Sequence, residues 1–350
     1  MVPSSAWDAL PLGGATLCVL FGGRSSEREV SLTSGHAILA GLRQGVLGLS
    51  PGAHPAKILG VEIAADGGWI LGEQSYSPGL ALERLRDVDL FFLGLHGTEG
   101  EDGVIQGLLS SHDFRYTGSG VCASALAMDK VFSRCVVQEQ GLRVALGKHF
   151  SGATWKQDRE ALLDELSAWE PKGWVVKPRR EGSSVGVSVL DEPAALGPAI
   201  DAALAMGPEV LVEARIQGIE VAAAVLESSP GEPRGLPIVE IVPKPGRFFD
   251  YEEKYLASGA IEHCPPQNVD GPTCARLQEL AIQAHQALGC RGYSRSDFIV
   301  PNSGEPVFLE TNTLPGMTPR SLLPLAARAA ELPFETLCLQ IAAVALGASS

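Results

Sequence analysis

Four residues near the C-terminal end have types and spacing suited to holding a cation beside an anion: Arg295, Asp297, Glu310 and Asn312. Two short apolar runs, SDFIV and PVFL, flank Pro301, Asn302, Ser303 and Gly304, and this pattern predicts a β-hairpin. A turn centred between Ser303 and Gly304 pairs Asp297 with Glu310 and Arg295 with Asn312. The two-residue pleat then puts all four side chains on one face. Asp297, Glu310 and Asn312 supply the oxygen ligands that a hard cation such as Mg²⁺ takes, and an arginine beside them suits a phosphate or carboxylate. A hairpin face of solvated charges is the competing reading.

Other chemistry-bearing residues sit at strand ends and in glycine loops. Glu27 follows the apolar run ATLCVLF at a strand-to-helix turn. Ser26 and Glu29 have capping-box spacing, which assigns Glu29 to a helix cap and leaves Glu27 to face a ligand, an ammonium by its charge. His96 follows VDLFFLGL and leads into GTEGEDGVIQG, whose glycines allow close approach of the backbone to a small ligand. Lys177 enters a loop of Gly182, Ser183, Ser184 and Gly186 whose backbone N–H groups suit phosphate. No GxxxxGK[ST] loop occurs, so any nucleotide site here uses another architecture. Gly118–Ala123 satisfies the loose GxGxxG/A pattern of a dinucleotide site, but it follows the third candidate strand and no strand-terminal acid is spaced to hold a ribose.

The elements that must position these residues belong to a chain of 350 residues, long enough for two or three domains. No apolar run reaches the roughly 18 residues of a membrane helix, and residues 1–14 read as a loose leader without a signal-peptide pattern. The expected location is the cytoplasm. Seven scattered cysteines without a CxxC pair point to neither a disulfide framework nor a zinc site. A net charge of −14 argues against a general nucleic-acid surface.

Along the chain, strands are expected at ATLCVLF and VDLFFLGLH, with a possible one at FRYT before a helix leading to Met128-Asp129-Lys130. Residues 44–85, rich in Gly and Pro, have no clear pattern. Helices are expected over 154–168, 192–206 and 273–288, the last with Leu277, Leu280, Ala281, Ala284 and Leu288 on one face. EVLVEARIQGIEVAAAVLE reads as two strands around Gln217 and Gly218, with Glu213 and Glu220 on either side. GRFFDYEEKYLASG reads as a loop closing over a site, with Lys254 and Tyr255 as its contacts. Two apolar helices separated by Pro333 end the chain.

Taken together, FGGRSSEREVSL, HGTEGEDGVIQG, YTGSGVCASALAMDK, VKPRREGSSVGVS, VLVEARIQGIE, FDYEEKY, and RSDF with LETNTLPGMTPRSL occur in the order found in one family. From about residue 16 to 346 the chain resembles the D-alanine–D-alanine ligases of the ATP-grasp superfamily. The resemblance implies an α/β fold, α+β in its C-terminal half, in three domains. These are a Rossmann-like substrate domain over 1–125, a central ATP-grasp subdomain over 126–215, and a C-terminal ATP-grasp domain over 216–350 with the metal site and a mobile loop.

By the same resemblance, Lys130 and Lys177 bind ATP phosphates, Glu213 and Glu220 hold adenine and ribose, and Ala214, Arg215 and Ile216 form a hinge. Ser183, Ser184 and Lys254 also face the nucleotide. Asp297, Glu310 and Asn312 hold two Mg²⁺ ions, for which Mn²⁺ can substitute. Glu27 and His96 receive the first D-alanine. Arg295 and the Gly316 backbone form the oxyanion site, and Ser321 and Leu322 lie near the second carboxylate. Ser183 and Tyr255 join Glu27 in a hydrogen-bonded set. The implied reaction is ATP-dependent joining of two D-alanines through an acyl phosphate, for cell-wall peptidoglycan, in a homodimer.

Three positions depart from the family pattern: Ser296 and Thr311 stand where apolar residues are usual, and Phe249 where Tyr is frequent. Ser296 and Thr311 face away from the ligands, so they put the hairpin's packing in question more than its chemistry. Tyr255 favours an amine as second nucleophile over D-lactate. D-serine remains an alternative second substrate, and an oxidoreductase or a non-catalytic nucleotide module is a more distant reading.

Overall fold

The computed structural model describes residues 11–169, 172–182, 185–243, 261–302 and 304–348. Ser183, Ser184, Lys254, Tyr255, Phe249 and the loop reading for GRFFDYEEKYLASG therefore lie outside the described residues.

The N-terminal sheet forms because β1 (Thr16–Gly22) is apolar on both faces and is covered on both. It runs parallel to β2 (Lys57–Ile63) and β5 (Leu90–Leu93), and β3 (Trp69–Leu71) and β4 (Gln74–Tyr76) extend the sheet antiparallel beyond β2. The patternless stretch 44–85 thus holds three strands and, at Pro78–Arg84, helix α2. At three residues each, β3 and β4 are too short to show a two-residue period. Helix α1 (Arg28–Val46) crosses the sheet close to Phe21, where Gly35 has no room for a Cβ. Its N-cap position is Glu27, with no side-chain cap, so the expected Ser26–Glu29 capping box does not form. Ser25 instead accepts from the Glu27 N–H at 3.2 Å and donates to the His96 carbonyl at 2.7 Å. The expected leader is part of the fold at Leu12, which is fully buried in this core.

After β5, α3 (Val104–Ser110), α4 (Val121–Met128) and α5 (Lys130–Glu139) follow. FRYT makes a single bridge, Tyr116 to Phe91, rather than a strand. Ala127, Val137 and Leu142 pack in the core of the largest sheet. That sheet begins with the two-residue β6 (Arg143–Val144), which pairs with its far edge.

A separate four-stranded sheet has β10 (Glu209–Ala214) between β7 (Gly147–Ser151) and β8 (Trp174–Pro178), with β9 (Ser188–Leu190) outside β8. Helices α6 (Gly152–Ser167) and α7 (Leu196–Met206) cover it around Phe150, Trp155, Trp174, Leu166 and Ile200. β8 and β9 form the expected hairpin around the glycine-serine loop, with Trp174 opposite Leu190.

The chain then changes sheets at Arg215–Gln217. β11 (Gly218–Glu227) joins a seven-stranded sheet with β12 (Pro233–Gly235), β13 (Val239–Val242), β14 (Ile261–His263), β15 (Tyr293–Pro301) and β16 (Val307–Asn312), in the path β14-β13-β11-β15-β16-β6. The two strands around Gln217 and Gly218 are therefore not partners. One face of this sheet, through Phe298 and Phe308, packs on α8 (Gly271–Ala287) at Leu277, Leu280 and Ala281. The other carries Ala222 and Ala224 into the N-terminal core, together with α9 (Leu322–Ala329) and α10 (Phe334–Gly347). The candidate site lies toward the opposite end of this second face. No single helix among the described residues is long and apolar enough to cross a membrane.

Candidate nucleotide and cation site

The hairpin register is the one the spacing implies: Arg295 pairs with Asn312 and Asp297 with Glu310. The turn is nevertheless displaced, because Phe298 pairs with Phe308 and Ile299 with Val307. A bulge restores the offset by inserting Leu309, which leaves both Leu309 and Glu310 lining the cavity below. Ser296 and Thr311 face the opposite side and bond to each other, hydroxyl to hydroxyl, at 2.8 Å. Two departures from the family pattern thereby satisfy one another in a buried setting.

A cavity of about 600 Å³ opens between the four-stranded and seven-stranded sheets. Lys177 and Glu213 reach it from the first sheet, Glu220, Asp297 and Glu310 from the second, and Lys130 from the start of α5. Ala214, Arg215 and Ile216 line it where the chain changes sheets. Val175, Val187, Val189, Ile219, Ile241 and Ile299 give it apolar walls. Apolar walls facing each other with charges at one end suit a flat base with an anionic tail.

The charges in this site are arranged as partners. Glu213 binds both Lys177 and Arg134, and Arg134 also donates to the Ala145 carbonyl. Lys130 donates to the Glu181 carbonyl and stands 3.6 Å from Glu310. Arg295 holds Asp297 with two bonds, 2.7 and 2.8 Å long. The Asn312 amide lies 3.5 Å from the same carboxylate. Among the described residues no cluster of three or more His, Cys, Asp or Glu could hold a metal. The third donor beside the two carboxylates is an amide, and an all-oxygen set of this kind fits Mg²⁺ better than a transition metal.

The N-terminal residues meet this site through the glycine-serine loop. Glu27 is 5% exposed, and its Oε1 lies so close to Gly182 and Gly97 that a Cβ on them would stand 2.5 and 3.0 Å away. His96 is buried, with Nε2 2.9 Å from Ser34 Oγ and Nδ1 3.7 Å from Glu101 Oε1. The Gly97 backbone turns with φ of +70°, which glycine adopts freely. Ser31 ties the two strand ends together, accepting from Gly22 N and donating to the Gly94 carbonyl. Gly316, Ser321 and Leu322 lie in and after the loop following β16, outside the cavity wall. There Ser321 Oγ accepts from Thr318 N at 3.1 Å, and Leu322 is buried in the N-terminal core.

Several residues escape a reading of the sequence. Arg134 lies mid-helix and becomes a partner of Glu213 only through tertiary packing. Glu240 is buried at the cavity wall and accepts from Gln267 N, Asn268 N and Asn268 Nδ2. Burial pushes its carboxyl up, but those Asn268 and Gln267 donors outweigh it and hold the group below the usual value. Asp129 caps α5 and binds Arg179 and Arg180. Burial again acts to raise its pKa, and the Arg179, Phe132 N–H and Arg180 bonds overcome it. Its place before Lys130 is the only signal the sequence offers.

The family described as D-ala D-ala ligase C-terminus matches residues 136–343, and its N-terminus counterpart matches 73–119. A D-alanine–D-alanine ligase of Halalkalibacterium halodurans is 41% identical over 320 residues, covering 91% of this chain and 95% of the relative. Among solved structures, the VanG D-Ala:D-Ser ligase of Enterococcus faecalis has a TM-score of 0.78 at 30% identity, over 95% of this chain and 99% of that one. The Bacillus anthracis D-alanine–D-alanine ligase complexed with ATP has a TM-score of 0.74 at 26% identity, over 95% and 97%. With an α/β ATP-grasp fold and matches over nearly its whole length, the chain belongs to the D-alanine–D-alanine ligase family.

Proposed function

We propose that the protein joins two D-alanine molecules at the expense of ATP, releasing ADP and phosphate, and so supplies the D-alanyl-D-alanine used in peptidoglycan. The observation that carries this reading is the convergence of Lys130, Lys177, Glu213, Asp297 and Glu310 from two sheets and a helix on one apolar-walled cavity. Curated relatives at about 40% identity bear the D-alanine–D-alanine ligase name, which favours D-alanine over D-serine as second substrate.

A carboxylate is a poor acyl donor because oxide is a poor leaving group, so the first D-alanine is activated as an acyl phosphate, and the second amine then attacks and expels phosphate. Lys130 and Lys177 face the phosphates and offset charge as the γ-phosphoryl group moves. Glu213, already held by Lys177 and Arg134, presents a fixed acceptor beside the base, and Glu220 lies toward the ribose. Asp297, Glu310 and Asn312 would hold Mg²⁺, two ions in this reading, for which Mn²⁺ could substitute. Bound there, the metal supplies positive charge to the phosphoryl oxygens. Glu27 takes the ammonium of the first D-alanine, and His96, oriented by Ser34, lies beside it. Arg295 stabilises the tetrahedral oxyanion with the Gly316 N–H, and Ser321 and Leu322 border the second carboxylate. Ser183, Ser184, Lys254 and Tyr255 would complete the phosphate and substrate ends. Holding the reactants together in a well-oriented site is worth about 7–11 kcal/mol of the barrier.

The division into three domains, cytoplasmic location and a homodimer belong to the same reading. The test is incubation with ATP, Mg²⁺ and single D- or L-amino acids, D-serine or D-lactate, followed by phosphate assay and product mass. D-Alanyl-D-alanine with one phosphate per dipeptide is expected. Phosphate release with D-lactate and none with D-alanine alone would overturn it.

A further inference from the structure

We infer that Asp129 is a positioning residue that clamps the phosphate-binding loop onto the start of α5, fixing Lys130 and the Gly182 backbone in one frame through Arg179 and Arg180. The inference rests on the proposed ATP site and adds a residue to which that reading assigns no role.

Asp129 is 2% exposed and each of its oxygens has a distinct duty. Oδ1 accepts from Val131 N and Phe132 N, both at 3.1 Å, which caps α5, and also from Arg179 Nε at 2.8 Å. Oδ2 accepts from Arg180 Nε at 2.8 Å. Arg179 is held further by Glu209, with both oxygens 2.9 Å from Nη1, and its guanidinium lies 4.5 Å from the Phe132 ring centre. Its carbonyl accepts from Lys130 N at 3.2 Å. The next residue but one, Glu181, accepts the Lys130 ammonium on its carbonyl, and Gly182 then abuts Glu27.

The geometry has a physical consequence. Lys130 belongs to a helix that packs on the seven-stranded sheet, whereas 179–182 leave the four-stranded one. Among the described residues no backbone ladder joins those two sheets, so beside the Lys130 N–Arg179 carbonyl bond their relation at the phosphate end depends on side chains. Charge-assisted bonds from two arginines to one buried carboxylate are stronger and more directional than neutral ones, and they leave the loop backbone little freedom. Preorganisation of this kind lowers the ordering cost when the anion binds. Arg180 is itself 64% exposed at its side chain, so it is the arm that can be removed without opening the core.

Charge and clamping predict opposite signs, which makes the inference testable. Asp129→Asn keeps an N-cap oxygen, because Asn caps as well as Asp, and deletes a negative charge near the phosphates. If bulk charge governed binding, this change would tighten ATP; if the clamp governs, ATP weakens. The experiment is calorimetric titration of full-length protein with a non-hydrolysable ATP analogue and with adenosine. The expected result is about tenfold weaker binding of the analogue by Asp129→Asn, with adenosine within about twofold of wild type. In steady-state assays KM for ATP should rise and KM for D-alanine stay constant.

Arg180→Ala is the second variant, read at low salt and at about 0.5 M salt, where bulk charge is screened. A loss of analogue affinity that persists at high salt, with adenosine unaffected, supports the clamp even if Asp129→Asn does not fold. Unchanged or tighter analogue binding by Asp129→Asn overturns it. So does an Arg180→Ala loss that vanishes with salt, or equal weakening of adenosine. Wild-type protein that binds neither ligand would instead overturn the nucleotide site, and the clamp with it.

Discussion

Ser296 and Thr311 face one another across β15 and β16 with their hydroxyl oxygens 2.8 Å apart, on the side of the hairpin opposite Asp297 and Glu310. Both side chains are buried, so the pair lies between the face that carries Asp297 and Glu310 and the α8 core. A buried hydroxyl without a partner costs about 1–3 kcal/mol. Ser296→Ala is therefore expected to lower stability by about that amount, whereas Ser296→Ala with Thr311→Val should be nearly neutral. Urea unfolding of the two variants decides it, and equal losses would show that the bond is not what matters.

In the proposed cation site Glu310 supplies one of two carboxylates, and Glu310→Gln leaves its shape while removing a charge. Half-maximal activity should then require roughly tenfold more Mg²⁺, the effect of about 1.4 kcal/mol of lost attraction. Excess Mg²⁺ should restore part of the rate. An unchanged Mg²⁺ titration would remove Glu310 from the site.

Gly182 approaches Glu27 so closely that an added Cβ would stand 2.5 Å from Oε1. The clash falls on the far end of a flexible side chain, so Gly182→Ala should fold and displace the carboxylate. KM for D-alanine is expected to rise about tenfold, as for a lost charge-assisted contact, with melting temperature unchanged. Steady-state kinetics with each substrate varied in turn checks this.

Gly35 packs against Phe21 with no room for a Cβ, and here the obstacle is a buried ring. Gly35→Ala should cost about 1–3 kcal/mol through overpacking, despite alanine's better helix propensity. A more stable variant in denaturant unfolding would contradict that packing.

Asp129, Glu227 and Glu240 all have carboxyl pKa values held below the usual range. In each, burial pushes upward and is outweighed by hydrogen bonds: from Arg179 to Asp129, from His285 to Glu227 and from Asn268 to Glu240. A carboxylate with a folded-state pKa below its unfolded one stabilises fully above the unfolded value, near 4. That stability is lost as pH falls through the folded value. Melting temperature should therefore drop steeply below about pH 4, and Glu240→Gln should flatten the drop.

The order of motifs and the two-residue period of strands by themselves determined which residues could be chemical and which face of the hairpin they share. Register at Arg295–Asn312 and Asp297–Glu310 was legible because a pleat is a local rule. The displaced turn with Leu309 inserted was not, since a bulge reflects packing of Phe298 and Phe308 on α8. Nor was the fate of β10 and β11, adjacent in sequence yet divided between sheets that face each other across the cavity. In 44–85, β3 and β4 escaped because three residues carry no period. Ser31, Arg134, Asp129 and Glu240 acquire partners 28 to 79 positions away only when helices and sheets dock. Side-chain type is local, whereas pairing of buried charges is settled by tertiary contacts, where desolvation requires each charge to find a partner.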